Sequence, residues 1–355
     1  MNKIWTLNDL NNDLKELTSQ YSQEKNPYKK EKLSEYIWIC KNLIIAEELG
    51  EYEQPKLSKN DIIKDLLLDF PIYQFYHQYI LEFKKILEPY EKNRITKINI
   101  NQTLSKTEIL ELNKSFFKSI GGDIYKTYKN LSNSNYIRFK KTDEKTGNTI
   151  FIPGVKKPYI TISDSDEIFQ LPILAHESGH AIGALINNDR YTENAKFAEI
   201  ESLFFEMLSY RYYGKKLKNN LFYRLEEIRM EDYFNDADDT LFYKDVYEYI
   251  SNSKDKNYKN IIANSKKQFD RASIKYFFKT YENSIITENI EYLFSYIVAI
   301  ELLEEYEKDQ EKALYKLNRI ITSKIDEETK TIFEEVNPNE SLEKHIQKIR
   351  KLTNN

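Results

Sequence analysis

The stretch Leu174-Ala175-His176-Glu177-Ser178-Gly179-His180-Ala181 decides how the rest of the chain is read. Histidines four apart on a helix differ by about 40° in direction and about 6 Å in rise. Both rings therefore reach one ion from one face. Glu177 sits beside them, placed to act on a water at the ion and not to bind the ion itself. The expected ion is zinc, one per chain, because zinc lowers the pKa of a bound water towards about 7. The chain has 4 histidines, and this motif uses half of them. His77 and His345 stand alone and read as structural or surface residues.

A catalytic zinc needs a third protein ligand and an open position. No histidine follows nearby, so a carboxylate is required. Phe197-Ala198-Glu199-Ile200-Glu201-Ser202-Leu203-Phe204-Phe205-Glu206 offers three. Glu199 and Glu206 are two helical turns apart and share a face, with Leu203 between them, whereas Glu201 points elsewhere. Two carboxylates on one partly apolar stripe need a positive partner, and a zinc ion with its histidines is one. Glu199 is the expected ligand. Glu206 is the expected acceptor for a histidine N–H, with a salt bridge to an arginine as the alternative.

Composition narrows the class. The chain has 355 residues, 53 Lys+Arg, 57 Asp+Glu and a formal net charge of -4. That balance excludes a broadly basic nucleic-acid binder. Cys40, the single cysteine, excludes a disulfide framework and a cysteine-based zinc cluster. Gly 8 and Pro 8 are far below average usage, so long helices are the default and a turn-dense β architecture is disfavoured. The start Met1-Asn2-Lys3-Ile4-Trp5 has no apolar core of a signal peptide, and runs such as Leu43-Ile44-Ile45-Ala46 are too short for a bilayer. The expectation is a cytoplasmic protein with no membrane or nucleic-acid partner.

Helix signals punctuate the first 130 residues. Pro27 suits a first helical turn, Gly50 a C-terminal cap and Ser58 an N-cap, while Pro71 should kink or split its helix. Ser105 and Glu108 form a capping box, and Gly121-Gly122 marks a break. Residues 135–163 differ. Tyr136-Ile137-Arg138-Phe139, Thr149-Ile150-Phe151-Ile152 and Tyr159-Ile160-Thr161-Ile162 read as strands of a small sheet, and Thr146-Gly147-Asn148 as turn chemistry. Beyond residue 165 helices return. Asn187-Asn188-Asp189-Arg190 reads as a loop, Asn194 as a cap, Gly214 as a helix end and residues 251–257 as a linker.

Three segments together carry a resemblance: Gly154-Val155-Lys156-Lys157-Pro158-Tyr159-Ile160-Thr161-Ile162, Leu174 to Ala181, and Ala198-Glu199-Ile200-Glu201-Ser202. They are similar to the active-site core of oligoendopeptidase F, whose wider family includes thimet oligopeptidase. Gly179 and Ala181 match the family's HExGHA form of the motif. The resemblance is close over residues 150–210. It implies a mainly α, zincin-like helical catalytic domain with a small β-sheet beside the active-site helix. Residues 1–130 would form an N-terminal helical section and 131–355 the catalytic section, one continuous unit. It implies His176, His180 and Glu199 as zinc ligands and Glu177 as base. It further implies an oligopeptide substrate lying along a strand beside Gly154, Pro158 and Tyr159.

The family's downstream tyrosine-rich segment, which stabilises an oxyanion, is best matched by Glu288-Asn289-Ile290-Glu291-Tyr292-Leu293-Phe294-Ser295-Tyr296. That match implies catalytic roles for Tyr296 and Tyr292, one helical turn apart. The family's histidine is absent there, and Glu288 falls near its place. Only 175 residues precede His176, fewer than in family members, which implies a more open channel. Pro172 marks a fresh helix start. The expected activity is zinc-dependent hydrolysis of peptide bonds. The alternatives are a catalytically impaired relative acting as a zinc-containing peptide-binding protein, and an exopeptidase.

Overall fold

A computed structural model describes residues 5–49, 58–93, 103–134, 136–141, 146–165, 167–187, 196–265, 269, 271–280 and 286–353. The expected caps at Gly50 and Asn194 lie outside these residues, as does most of the loop 187–190. The protein is mainly α, with one small sheet.

Two helices open the chain, α1 (Leu7–Gln23) and α2 (Pro27–Leu49). A second helical group follows: α3 (Lys59–Tyr73), α4 (His77–Leu87), α5 (Lys106–Ile120) and α6 (Gly122–Asn133). Side-chain caps start α3 and α5 where the sequence announces them. Ser58 Oγ accepts from the Asp61 amide, and Ser105 from that of Glu108, each within a capping box. Pro71 does not split α3. The helix runs two residues past it, and a 3-10 turn, Gln74–Tyr76, then leads into α4. Gly121 and Gly122 take positive φ (77° and 57°), which ends α5 and starts α6 at once.

The sheet consists of β1 (Ile137–Lys140), β2 (Gly147–Ile152) and β3 (Lys157–Ser163) in the order β1-β3-β2. β3 is central, parallel to β1 and antiparallel to β2, with Thr149 opposite Ile160 and Ile150 opposite Tyr159. The sheet separates two cores. On one side Ile160 and Ile162 join the main core. On the other, Ile152 and Tyr159 pack with Trp5, Leu10, Leu17 and Cys40 beneath α1 and α2. Trp5 Nε1 donates to the Ile160 carbonyl (3.0 Å), and Asp13 of α1 takes bonds from Lys157 and Tyr159. The first two helices thus back the sheet, while α3 to α6 belong to the main core.

The main core is built around α7 (Gln170–Ile186) and α8 (Glu199–Leu217). α9 (Leu221–Ser251), α10 (Tyr258–Asn264), α11 (Arg271–Thr280), α12 (Ile286–Lys308), α13 (Gln310–Thr322), α14 (Glu328–Glu335) and α15 (Leu342–Thr353) follow among the described residues. α8 is buried on nearly every side, from Ile200 to Gly214. It does not end before Gly214. It continues to Leu217, and Lys218 takes the left-handed cap (φ 49°). Gly214 serves packing instead: a Cβ there would lie 2.6–2.9 Å from the Tyr223 ring of α9.

Charges inside the helical core tie the helices together. His345 of α15 is fully buried, with Nδ1 3.2 Å from Glu304 of α12 and Nε2 3.5 Å from Glu226 of α9. Glu226 also meets Arg211 of α8 at 3.0 Å, and Lys344 meets Glu304 at 3.0 Å. His345 is therefore a structural residue. Removing one member of such a group leaves the others uncompensated, so Glu304→Ala is expected to lose roughly 3–5 kcal/mol in urea unfolding. Burial resists the charge on Glu304, but His345 and Lys344 outweigh it and hold its pKa near 2, below its ordinary 4.5. A depressed carboxylate stabilises fully above its unfolded pKa. The contribution should vanish as pH falls from about 4.5 towards 2. Glu304→Gln should flatten that limb of the stability curve.

Candidate metal centre and cavity

The motif lies on α7, wedged between the sheet and α8. Pro172 occupies the first turn of α7, where its missing N–H costs nothing. The contact with α8 is unusually close. A Cβ on Gly179 would fall 2.7 Å from the Ser202 Cα, and Gly183 faces the Glu201 side chain in the same way. Only glycine lets the two backbones approach this far.

That approach brings the first turn of α8 against the histidines. Glu199 Oε2 lies 3.4 Å from His176 Nε2 and 3.3 Å from His180 Nε2. One ligand atom from each of the three falls within 4.8 Å of the others, and these residues form the metal-competent group among the described residues. Two donors each about 2.0–2.1 Å from a tetrahedral ion lie about 3.3 Å apart, so the spacing fits such an ion. His, His and Glu are also the donor types that suit zinc.

Glu206, two turns along α8, accepts from His176 Nδ1 at 2.8 Å and from Tyr210 at 2.8 Å. Arg229 of α9 approaches the same carboxylate, with Nε 3.4 Å from Oε1. The two readings of Glu206, histidine acceptor and arginine partner, hold together. The bond to Nδ1 fixes the ring so that Nε2 faces Glu199. Glu201 packs against the same helix, α7, one turn further along, fully buried beside Gly183.

The electrostatics are those of a cation site. Burial opposes the charge on His180, but Glu199, Glu177 and Glu201 outweigh it and raise its pKa to about 9. Burial likewise resists ionisation of Glu199, yet His180 and His176 pull it down to about 2. Glu206 is also held near 2 against burial, chiefly by Arg229 and His176. Negative charge is thus concentrated where the two imidazoles converge, which favours a cation there.

The group opens onto a cavity of about 680 Å³. Thr146, Gly147, Asn148 and Thr149 form one wall, and Phe169, Pro172, Ile173, Leu225 and Ile228 supply apolar lining. Glu177 lines the cavity beside His176, and Thr149 Oγ1 donates to its Oε2 at 2.6 Å. Gly147 is not in a turn. It opens β2, and a Cβ on it would lie 2.7 Å from Glu177 Oε1. Tyr292, Arg229 and Asp232 line another part of the same cavity.

Several expected site residues fall elsewhere. Tyr296 is 1% exposed and absent from the cavity lining. Its ring stacks on Tyr233 at 3.8 Å, one turn deeper than Tyr292. Residues four apart share a helix face, so the two tyrosines differ in depth along α12, and Tyr292 is the one that reaches the opening. Gly154, Pro158 and Tyr159 are also outside the lining. Gly154 packs against Leu17 and Tyr36, and Tyr159 bonds Asp13, so the first two helices occupy that end of the sheet. The strand beside the cavity is β2, because β3 is paired on both edges. Glu288 is not among the lining residues either.

Sequence reasoning missed Thr149 and Arg229, which reach the site from a strand and a helix without any motif. Tyr210 was legible in principle, lying four residues after Glu206 on one face. The close contact of α7 and α8 gives a direct test. Gly179→Ala should lower stability by roughly 1–3 kcal/mol through overpacking, read as a lowered Tm.

No family model and no curated protein matches the sequence. Solved structures do. A protein assigned to oligoendopeptidase F superposes with a TM-score of 0.54 at 12% identity, over 92% of this chain and 66% of that one. A Bacillus anthracis protein assigned to oligoendopeptidase F gives a TM-score of 0.50 at 14% identity, over 93% of this chain and 64% of its own. PZ peptidase A, solved with an inhibitor, gives a TM-score of 0.50 at 13% identity, over 92% of this chain and 66% of that one. The chain spans about two thirds of the length of these proteins, and it has the oligoendopeptidase F-like fold.

Proposed function

We propose that this protein is a zinc-dependent peptidase acting on oligopeptides. The observation that carries the reading is one carboxylate oxygen of Glu199 set 3.3–3.4 Å from both motif imidazoles, at the floor of a cavity that Glu177 also lines. Structural likeness to an inhibitor-bound peptidase supports it. Among the described residues no helix is long and apolar enough to cross a membrane.

His176, His180 and Glu199 would hold the ion. Zinc supplies Lewis acidity there: it acidifies a water and polarises a scissile carbonyl. The chain's own groups do the rest. Glu177 takes a proton from the attacking water and returns it to the leaving nitrogen. Thr149 holds Oε2 of Glu177, which leaves Oε1 for that exchange. Tyr292 donates a hydrogen bond from its phenol to the oxygen on which negative charge develops. Glu206 keeps His176 oriented for the ion. The cavity's volume admits several residues of an extended peptide.

Freshly purified protein should contain one zinc per chain, and Glu199→Ala should lose it. A quenched, end-capped peptide should be cleaved by the wild type and spared after chelation. Glu177→Gln should retain zinc while its rate falls at least several hundred-fold, as expected for loss of the general base. Wild-type turnover by that variant would remove Glu177 from the mechanism. Zinc without cleavage would favour a peptide-binding role instead.

A further inference from the structure

Arg229 links the two halves of the site. It projects from α9 into the cavity with its side chain 37% exposed. Nε lies 3.4 Å from Glu206 Oε1, and Nη2 donates to the Tyr292 hydroxyl at 3.4 Å. The guanidinium also lies over the Tyr233 ring at 5.2 Å, and that ring stacks on Tyr292 at 5.8 Å. A planar fork held on three sides has little freedom. Tyr292 is held in two ways by the same residue, directly and through Tyr233.

A phenol has one proton to give. Because the Tyr292 oxygen accepts from Arg229, its own proton is turned away from the guanidinium. Tyr292 lines the cavity, so that proton can be given to a group bound there. A donor pre-aimed in this way need not reorganise when negative charge develops, and a cation on the phenol oxygen strengthens the bond it donates. We propose that Arg229 is a positioning residue that acts through Tyr292, orienting its hydroxyl for oxyanion stabilisation. This deepens the peptidase reading and rests on it.

The test uses the zinc-loaded full chain and the variants Arg229→Met, Arg229→Lys, Tyr292→Phe and the Met/Phe double variant. Two quantities are read: kcat and KM on an end-capped peptide, and calorimetric affinity for a peptide carrying a phosphinate in place of the scissile amide. Zinc content and Tm accompany each. Arg229→Met should lower kcat and phosphinate affinity about 100-fold with KM changed less than about threefold, the size of losing one oxyanion donor. In the Tyr292→Phe background the same change should cost less than about threefold. Arg229→Lys keeps a charge beside Glu206 but lacks the fork. It should hold zinc as the wild type does and still show the loss.

Multiplied losses in the double variant would overturn the proposal, as would full recovery in Arg229→Lys. A loss confined to peptides with a free C-terminal carboxylate would also overturn it, because Arg229 would then read the terminus. Failure of the parent reading looks different. A wild type that binds zinc and phosphinate but cleaves nothing is not a peptidase, yet its phosphinate affinities still report whether Arg229 acts through Tyr292.

Discussion

The site depends on how closely two helix backbones can pack. α7 and α8 touch through Gly179 and Gly183, and that contact sets where the first turn of α8 lies relative to the histidines. A side chain at Gly179 would push α8 outward by the width of a methyl group. Glu199 would then leave the range in which it shares one ion with both rings. Metal-ligand distances tolerate errors of only a few tenths of an ångström, so packing sets the chemistry.

Around that contact the protein buries more charge than a helical core usually holds. Glu201, Glu206, Arg211, Glu226, Glu304 and His345 are all at most 6% exposed. Glu206, Arg211, Glu226, Glu304 and His345 each meet a partner of opposite sign on another helix, and Glu201 acts on His180. Such groups contribute little net stability, but they penalise any arrangement that separates them. α8, α9, α12 and α15 are joined in this way. These include the helices that carry Glu199, Arg229 and Tyr292, so the buried network and the cavity share one frame. Screening is weak inside, which is why Glu206 and Glu304 stay ionised.

The sheet does two things at once. Its β2 edge walls the cavity and lends Thr149 to Glu177, while the far end is sealed by the first two helices. Tyr159 illustrates the division. By strand alternation it faces the small core with Trp5, and its neighbour Ile160 faces the main one. Adjacent residues of one strand therefore serve different cores.

Much was legible without coordinates. The helical default, the three strands, the capping boxes and the motif helix follow from composition and periodicity, which are local properties. Glu199 and Glu206 were also readable, since seven residues return a helix to the same face. What no local pattern contains is the direction of one element relative to another. The sequence favours Tyr296 over Tyr292, and only the packing of α12 against Tyr233 leaves Tyr292 in the cavity and Tyr296 in the core. Arg229 and Thr149 carry no motif at all. They join the site because α9 and β2 cross it, and that crossing is decided by side-chain volumes summed over the whole core.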